Sequence, residues 1–212
     1  MHNIKLIIFD LDGTLVDAYA AITSSLNYTL RKLGYSPQGP GVIRRAVGWG
    51  DASLLRAFVR REDLKRGLIF YRRHHRGSLV EKSRLFPGVK SLLNYLKLKG
   101  YKLAVASNRP TEFSRILISH LGLKKYFDYL LCADKLKRGK PDPEILKRIM
   151  RKFSLEPKQA LYVGDMVIDA RAGRRARVKT VIVTTGSSSR EEIRKEKPFR
   201  IIKSITALFK IL

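Results

Sequence analysis

Short apolar runs that stop abruptly at a carboxylate or a hydroxyl constrain this chain more than any other feature. Ile4–Phe9 runs into Asp10-Leu11-Asp12-Gly13-Thr14, Lys102–Ala106 into Ser107-Asn108, and Ala160–Val163 into Gly164-Asp165, with Asp169 close behind. Tyr129–Cys132 and Thr180–Val183 are runs of the same kind. Runs so short and so continuously apolar suit parallel strands covered on both faces. Helical periodicity fills the intervals at Val89–Lys99, Thr111–Leu121, Pro143–Phe153 and Ile168–Ala176. Pro87 and Pro143 stand where a first helical turn tolerates a missing N–H, and Gly100 and Gly122 stand where a helix should stop. Strands alternating with helices predict an α/β fold built on a doubly wound, Rossmann-like parallel sheet.

One stretch departs from the alternation. Between Val16 and Arg84 only helical patterns stand out: Ala20–Leu33, Val42–Val47, Ala52–Arg60 and Asp63–Arg76, with a Gly/Pro loop over Gly34–Gly41. The expected organisation is therefore a core made of residues 1–15 and 85–212, with a small α-helical domain, 16–84, inserted after the first strand.

Composition narrows the partners. Lys and Arg number 44 against 18 Asp and Glu, for a formal net charge of +26 in 212 residues, while 44% of the chain is hydrophobic. Such a chain can bury a substantial core, and its charge attracts nucleic acid, anionic lipid or phosphorylated small molecules without choosing among them. No apolar run approaches the ~18–20 residues that cross a bilayer. The opening MHNIKLIIFDLDGT places carboxylates where a signal peptide needs an uninterrupted apolar stretch. A soluble cytoplasmic protein is expected, with no membrane partner. The single Cys132 reads as an inert buried thiol.

In an open parallel sheet, ligands bind beyond the carboxyl ends of the strands, so Asp10, Asp12, Ser107, Asn108, Asp165 and Asp169 should converge on one crevice. Carboxylates brought together repel one another and call for a cation, and all-oxygen ligation is the preference of Mg²⁺. A lone Lys140 and a hydroxyl among them suit an anion with several oxygens, which means phosphate.

DxDGT, S-N, GKP and GDxxxD, in that order, resemble the motifs of the haloacid dehalogenase superfamily of phosphotransferases from Ile4 to about Val183. The resemblance implies that Asp10 is the nucleophile that takes the phosphoryl group and Asp12 the general acid and base. It implies that Mg²⁺ is held by Asp10, the backbone carbonyl of Asp12, and Asp165. Asp169 would bind the ion directly or through water, orient Lys140, or merely cap its helix. Ser107 and Lys140 would bind the phosphoryl oxygens, with Thr14 and Asn108 as supporting donors. Asp at position 12 points within the superfamily to ester hydrolysis or mutase chemistry, because an alkoxide leaving group needs a proton and a halide does not.

The placement of the helical insert resembles that of the superfamily's small α-helical cap, which closes over small substrates. Trp49, in Gly48-Trp49-Gly50, is the expected lid aromatic. Mutases of glucose phosphates carry an Arg near the position Asp51 holds here, which weakens the mutase reading. Small-acid phosphatases of the phosphoglycolate type share this cap class, so the resemblance implies a phosphatase with a phosphoglycolate-like small metabolite as substrate. The alternatives are a phosphomutase, or a basic nucleic-acid-binding protein or polynucleotide-end phosphatase. His74 and His75 are not expected to bind metal, since adjacent helical positions face apart among cationic neighbours. Arg177 replaces a glycine that the family commonly has after the last motif's helix.

Overall fold

The computed structural model describes residues 3–212. Among them the elements run β1 (Leu6–Phe9), β2 (Val16–Asp17), α1 (Tyr19–Lys32), α2 (Pro40–Ala46), α3 (Asp51–Arg56), α4 (Leu64–Lys82) and β3 (Arg84–Leu85). There follow α5 (Val89–Leu98), β4 (Lys102–Ser107), α6 (Thr111–His120), β5 (Tyr129–Cys132), α7 (Glu144–Lys152) and β6 (Ala160–Gly164). The chain closes with α8 (Val167–Ala176), β7 (Lys179–Val183), α9 (Arg190–Lys195) and β8 (Arg200–Ile202).

Six strands form one sheet in the order β5-β4-β1-β6-β7-β8, every pair parallel. β1 lies at its centre, and each of its residues is fully buried. Their alternation explains why: Ile7 and Phe9 pack into one core while Leu6 and Ile8 pack into the other. With both faces covered by helices, nothing polar is tolerated until the strand ends at Asp10. β4 and β6 flank β1 in register, with Phe9 opposite both Val105 and Val163. Asp10, Ser107 and Asp165 are thereby delivered to the same edge, at the point where strand order reverses.

The inserted helices α1–α4 leave and rejoin the sheet domain through β2 and β3, an antiparallel pair joining Val16 to Leu85 and Asp17 to Arg84. Strands of two residues are too short to show any periodicity, so this ribbon was not legible as a pattern. α1 and α4 pack along one another. Their apolar residues Leu26, Leu30, Tyr71 and Leu79 belong to the same buried cluster as Ile7, Phe9 and Val105 of the sheet. α4 continues beyond Arg76 to Lys82. Gly77 costs a helix interior about 1 kcal/mol relative to Ala, which the tertiary packing of Ser78 and Leu79 overrides. α9 and β8 follow the last strand expected from the sequence. The capping box of Ser189 and Glu192 at α9 was the available signal. No helix among the described residues is long and apolar enough to cross a membrane.

Candidate active site

The turn after β1 begins with Asp10, which is 7% exposed. Its Oδ1 lies 2.8 Å from Lys140 Nζ, and the same ammonium reaches Asp169 Oδ1 at 2.8 Å and donates to the Tyr162 hydroxyl at 3.0 Å. All three donors of the ammonium are thus engaged. Tyr162 in turn donates to Asp169 Oδ1 at 2.6 Å. Sequence reading treated Tyr162 as one more apolar strand residue. A tyrosine inside an otherwise aliphatic parallel strand needs a partner for its hydroxyl, and that was the signal.

Asp169 stands in the first turn of α8. Its Oδ2 accepts the backbone N–H groups of Asp165 (3.1 Å) and Met166 (2.9 Å), while its Oδ1 serves Lys140 and Tyr162. Both oxygens are committed inside the protein. Asp165 is different. Its Oδ1 accepts from the Thr14 hydroxyl at 2.9 Å, but its buried Oδ2 has no hydrogen-bond partner. That oxygen sits against Gly13 (φ +78°) and Gly186, where a Cβ at either position would collide with it. Glycine at both positions lets the backbone approach this unpartnered carboxylate oxygen where a side chain could not. Single carboxylate oxygens of Asp10, Asp165 and Asp169 all come within 4.8 Å of one another.

Charge makes the same point. If all three carboxylates were ionised beside one ammonium, two negative charges would be buried together. Burial lifts the Asp10 carboxyl from 3.8 to about 7, with Asp169 and Asp12 adding to the rise and Lys140 opposing it. Asp165 is raised well above the carboxylate range, by burial first and then by Asp169 and Asp10. Burial alone would lower Lys140, but Asp10 and Asp169 outweigh it and hold the ammonium charged. The donor set is all oxygen and the deficit is two charges, which fits a divalent cation such as Mg²⁺.

Ser107, at the end of β4, is 2% exposed and accepts the N–H of Arg109, leaving its own O–H to donate into the cavity it lines. Asn108 is fully occupied as a bracket. Its Oδ1 accepts from Lys140 N at 2.7 Å, and its Nδ2 donates to the carbonyls of Lys140 and of Gly48, each at 3.0 Å. Thr14 and Asn108 were expected as donors to phosphate. The structure instead pairs Thr14 with Asp165, and Asn108 with backbone on both sides of the cleft.

A cavity of ≈ 60 Å³ lies between these strand ends and the inserted helices, bounded by Asp10, Asp12, Ser107 and Arg109 on one side and by Tyr19, Gly48, Tyr71 and His75 on the other. α2 is tied to the loop after β7, with Arg44 Nη2 donating to the carbonyl of Thr185 at 2.7 Å and Arg45 Nη1 to that of Ser187 at 2.7 Å. Gly48 and Gly50 line the cavity, but Trp49 between them does not. It is 48% exposed and lines a separate surface hollow, which corrects its expected place as lid aromatic. Asp51 pairs with Arg72 at 2.7 Å on the rim.

Two cavity residues, Arg109 and His75, were given no place in the site by the sequence. Arg109 forks onto Asp12 through Nε (2.7 Å) and Nη2 (2.8 Å), and its Nη1 donates to His75 Nε2 at 2.7 Å. His75 is 1% exposed, and its Nδ1 meets the Ser25 hydroxyl at 2.9 Å. Since Arg109 can only donate, Nε2 accepts and Nδ1 carries the proton. Burial and the Arg109 charge push His75 down to about 2, so it stays neutral. Neutral and buried, His75 has both ring nitrogens engaged and links α1 and α4 to the loop after β4.

A family model described as haloacid dehalogenase-like hydrolase matches residues 7–183. A phosphoglycolate phosphatase of Aquifex aeolicus is 34% identical over 182 residues, 86% of this chain and 85% of that protein. One of Haemophilus influenzae is 33% identical over 220 residues, 98% of each. A crystal structure described as a predicted phosphoglycolate phosphatase from Haemophilus somnus superposes with a TM-score of 0.93 at 30% identity, covering 100% of this chain and 99% of that one.

Proposed function

This chain belongs to the haloacid dehalogenase-like hydrolases, and we propose that within them it is a Mg²⁺-dependent phosphatase of small phosphomonoesters, with phosphoglycolate its first candidate substrate. The observation that carries the proposal is the buried cluster of Asp10, Asp165, Asp169 and Lys140 with one orphaned carboxylate oxygen, set at the end of a small cavity whose other carboxylate is Asp12. The names of its relatives support the choice of substrate.

On this reading an Asp10 carboxylate oxygen attacks phosphorus in line with the ester oxygen. The P–O bond to the alcohol breaks, its electron pair leaves on the alkoxide, and Asp12 supplies the proton that makes the product alcohol. Asp12, now a carboxylate, takes a proton from water as the water oxygen attacks the phosphorus of the aspartyl-phosphate. The bond to Asp10 then breaks, releasing inorganic phosphate and restoring the carboxylate. Asp10, Asp165 and the Asp12 carbonyl would hold the ion, which when bound offsets the charge between nucleophile and phosphoryl oxygens. Ser107 donates to the phosphoryl group. Lys140, held by Asp169 and Tyr162, favours the ionised form of Asp10 and aims it, and positioning with electrostatics does most of the work in such transfers. The inserted domain, 16–84, acts as the cap that excludes water from the cavity. The size of the cavity favours a short ester over a sugar bisphosphate or a nucleotide.

The test is phosphate release, with Mg²⁺, from a panel of small phosphomonoesters and 5′-phosphorylated oligonucleotides, with Asp10→Asn alongside. Release from phosphoglycolate that vanishes in Asp10→Asn is the expected result. Turnover surviving in the variant would remove Asp10 as nucleophile, and release confined to oligonucleotide ends would replace the substrate class.

A further inference from the structure

Arg109 is a guanidinium buried in the cavity wall that none of these steps uses. It sits in the loop after β4, yet it is held from both sides of the cleft, by Asp12 on the sheet domain and by His75 on α4. His75 is itself fixed by Ser25, stacks on Tyr71 with centroids 4.7 Å apart, and meets Phe113 edge-on at 5.2 Å. A guanidinium has five N–H donors in a rigid fork, and three are engaged here. The fork fits a planar carboxylate, and at present the carboxylate it holds is that of Asp12.

That arrangement conflicts with turnover. Nε of Arg109 takes one oxygen of Asp12 and Nη2 the other, so both ends of the carboxylate are tied to the guanidinium and neither is free to meet a leaving alcohol. Asp12 therefore has to be let go before the first step, and Arg109, buried and charged, cannot be left without an anion. The exchange calls for a second carboxylate entering the same cavity.

We propose that Arg109 determines specificity by recognising a carboxylate on the alcohol portion of the substrate, which takes over the fork now closed on Asp12 and releases Asp12 for proton transfer. The inference rests on the phosphatase reading and narrows its substrates to phosphomonoesters of short hydroxy acids, because the small cavity leaves little spacer between the phosphoryl site at Asp10 and the guanidinium. Arg109 is thus both a recognition group and the trigger that makes the acid available. An ester lacking the carboxylate should suffer in kcat as well as in KM.

Binding and turnover test it separately. With Mg²⁺ present, calorimetry compares 3-phosphonopropionate, which cannot be hydrolysed, with propylphosphonate, its isostere without the carboxylate. The wild-type protein should prefer the first by on the order of tenfold to a hundredfold, the weight of a charge-assisted fork. Arg109→Gln should abolish the preference, and Arg109→Lys, which keeps the charge without the fork, should keep part of it. In turnover, the ratio of kcat for phosphoglycolate to kcat for ethyl phosphate should fall in both variants. Equal affinity for the two phosphonates in the wild type, or an undiminished preference in folded Arg109→Gln, overturns the proposal. Tighter binding of ethylene-1,2-diphosphonate than of 3-phosphonopropionate overturns the choice of carboxylate. If Arg109→Gln fails to fold, the wild-type comparison and Arg109→Lys still decide. A clear preference in a protein that hydrolyses no phosphomonoester would leave Arg109 as an anion-recognition residue and overturn the phosphatase reading instead.

Discussion

Asn108 donates to the carbonyl of Gly48 at 3.0 Å, so a residue at the end of β4 holds the loop of the inserted domain directly over the strand ends. The same side chain brackets the backbone of Lys140 on both its N–H and its carbonyl. One amide therefore aligns the lysine and anchors the cap.

Asn108→Ala should disturb both. Three hydrogen bonds are lost at a part-buried site, and the expected cost is about 1–3 kcal/mol of stability, or a fall in Tm of roughly 2–10 °C for a chain of this size. KM should rise as the cap loosens and kcat should fall as Lys140 drifts. An effect on Tm alone would confine Asn108 to a structural role.

Lys140→Met removes the cation shared by Asp10 and Asp169 while keeping the stem. Breaking such a buried arrangement from one side costs about 3–5 kcal/mol. The ion-free protein should melt markedly lower, Mg²⁺ should recover part of the loss, and phosphate release should fall by at least about a hundredfold. Unchanged melting would mean that the buried carboxylates do not depend on the lysine.

The dependence on pH follows from Asp10, whose folded-state value of about 7 lies above its ordinary 3.8. Between those values the folded protein holds a proton that the unfolded chain has lost, so ion-free stability declines as pH rises through that window. A divalent cation needs the ionised carboxylate and competes with that proton. The rise in Tm produced by Mg²⁺ should be larger at about pH 8 than at about pH 5.5, with apparent affinity falling up to about tenfold per unit below 7. An equal rise at both would place the ion away from Asp10.

Arg177 ends α8 in the left-handed conformation, with φ of 60°. A side chain there costs of order 1 kcal/mol that glycine avoids. Arg177→Gly should raise stability by about that amount and leave phosphate release unchanged, as Tm and a turnover assay would show. A lower Tm would mean that the arginine side chain contributes more than its backbone costs.

The catalytic strand ends were legible because their signal is local. An apolar run closing on Asp10, Ser107 or Asp165 carries both the strand and its last residue in a few consecutive positions, and a parallel sheet then brings those ends together. What stayed hidden depends on docking. His75 reads as one cation-flanked histidine of a pair until α4 lies across α1 and turns it onto Ser25 and Arg109. Trp49 reads as a lid because Gly48-Trp49-Gly50 is the loop of the insert expected to face the site, yet only the folded chain turns the two glycines to the cavity and the indole away from it. Asp169 and Asp165 look equivalent as carboxylates. Their roles separate only when the amides of Asp165 and Met166 close on Asp169 and leave one oxygen of Asp165 bare.

The two-residue ribbon of Val16–Asp17 with Arg84–Leu85 makes the inserted helices a cassette whose entrance and exit are adjacent on the backbone. Helices within it can lengthen, shorten or change their cavity-facing residues without altering the spacing of Asp10 from Asp12 or the register of β1 with its neighbours. Selection for a new leaving group can then act on one plug-in module while the phosphoryl-transfer end stays as it is. Arg109, which reaches from the sheet side onto His75 of that module, is where such an exchange of modules would have to be renegotiated.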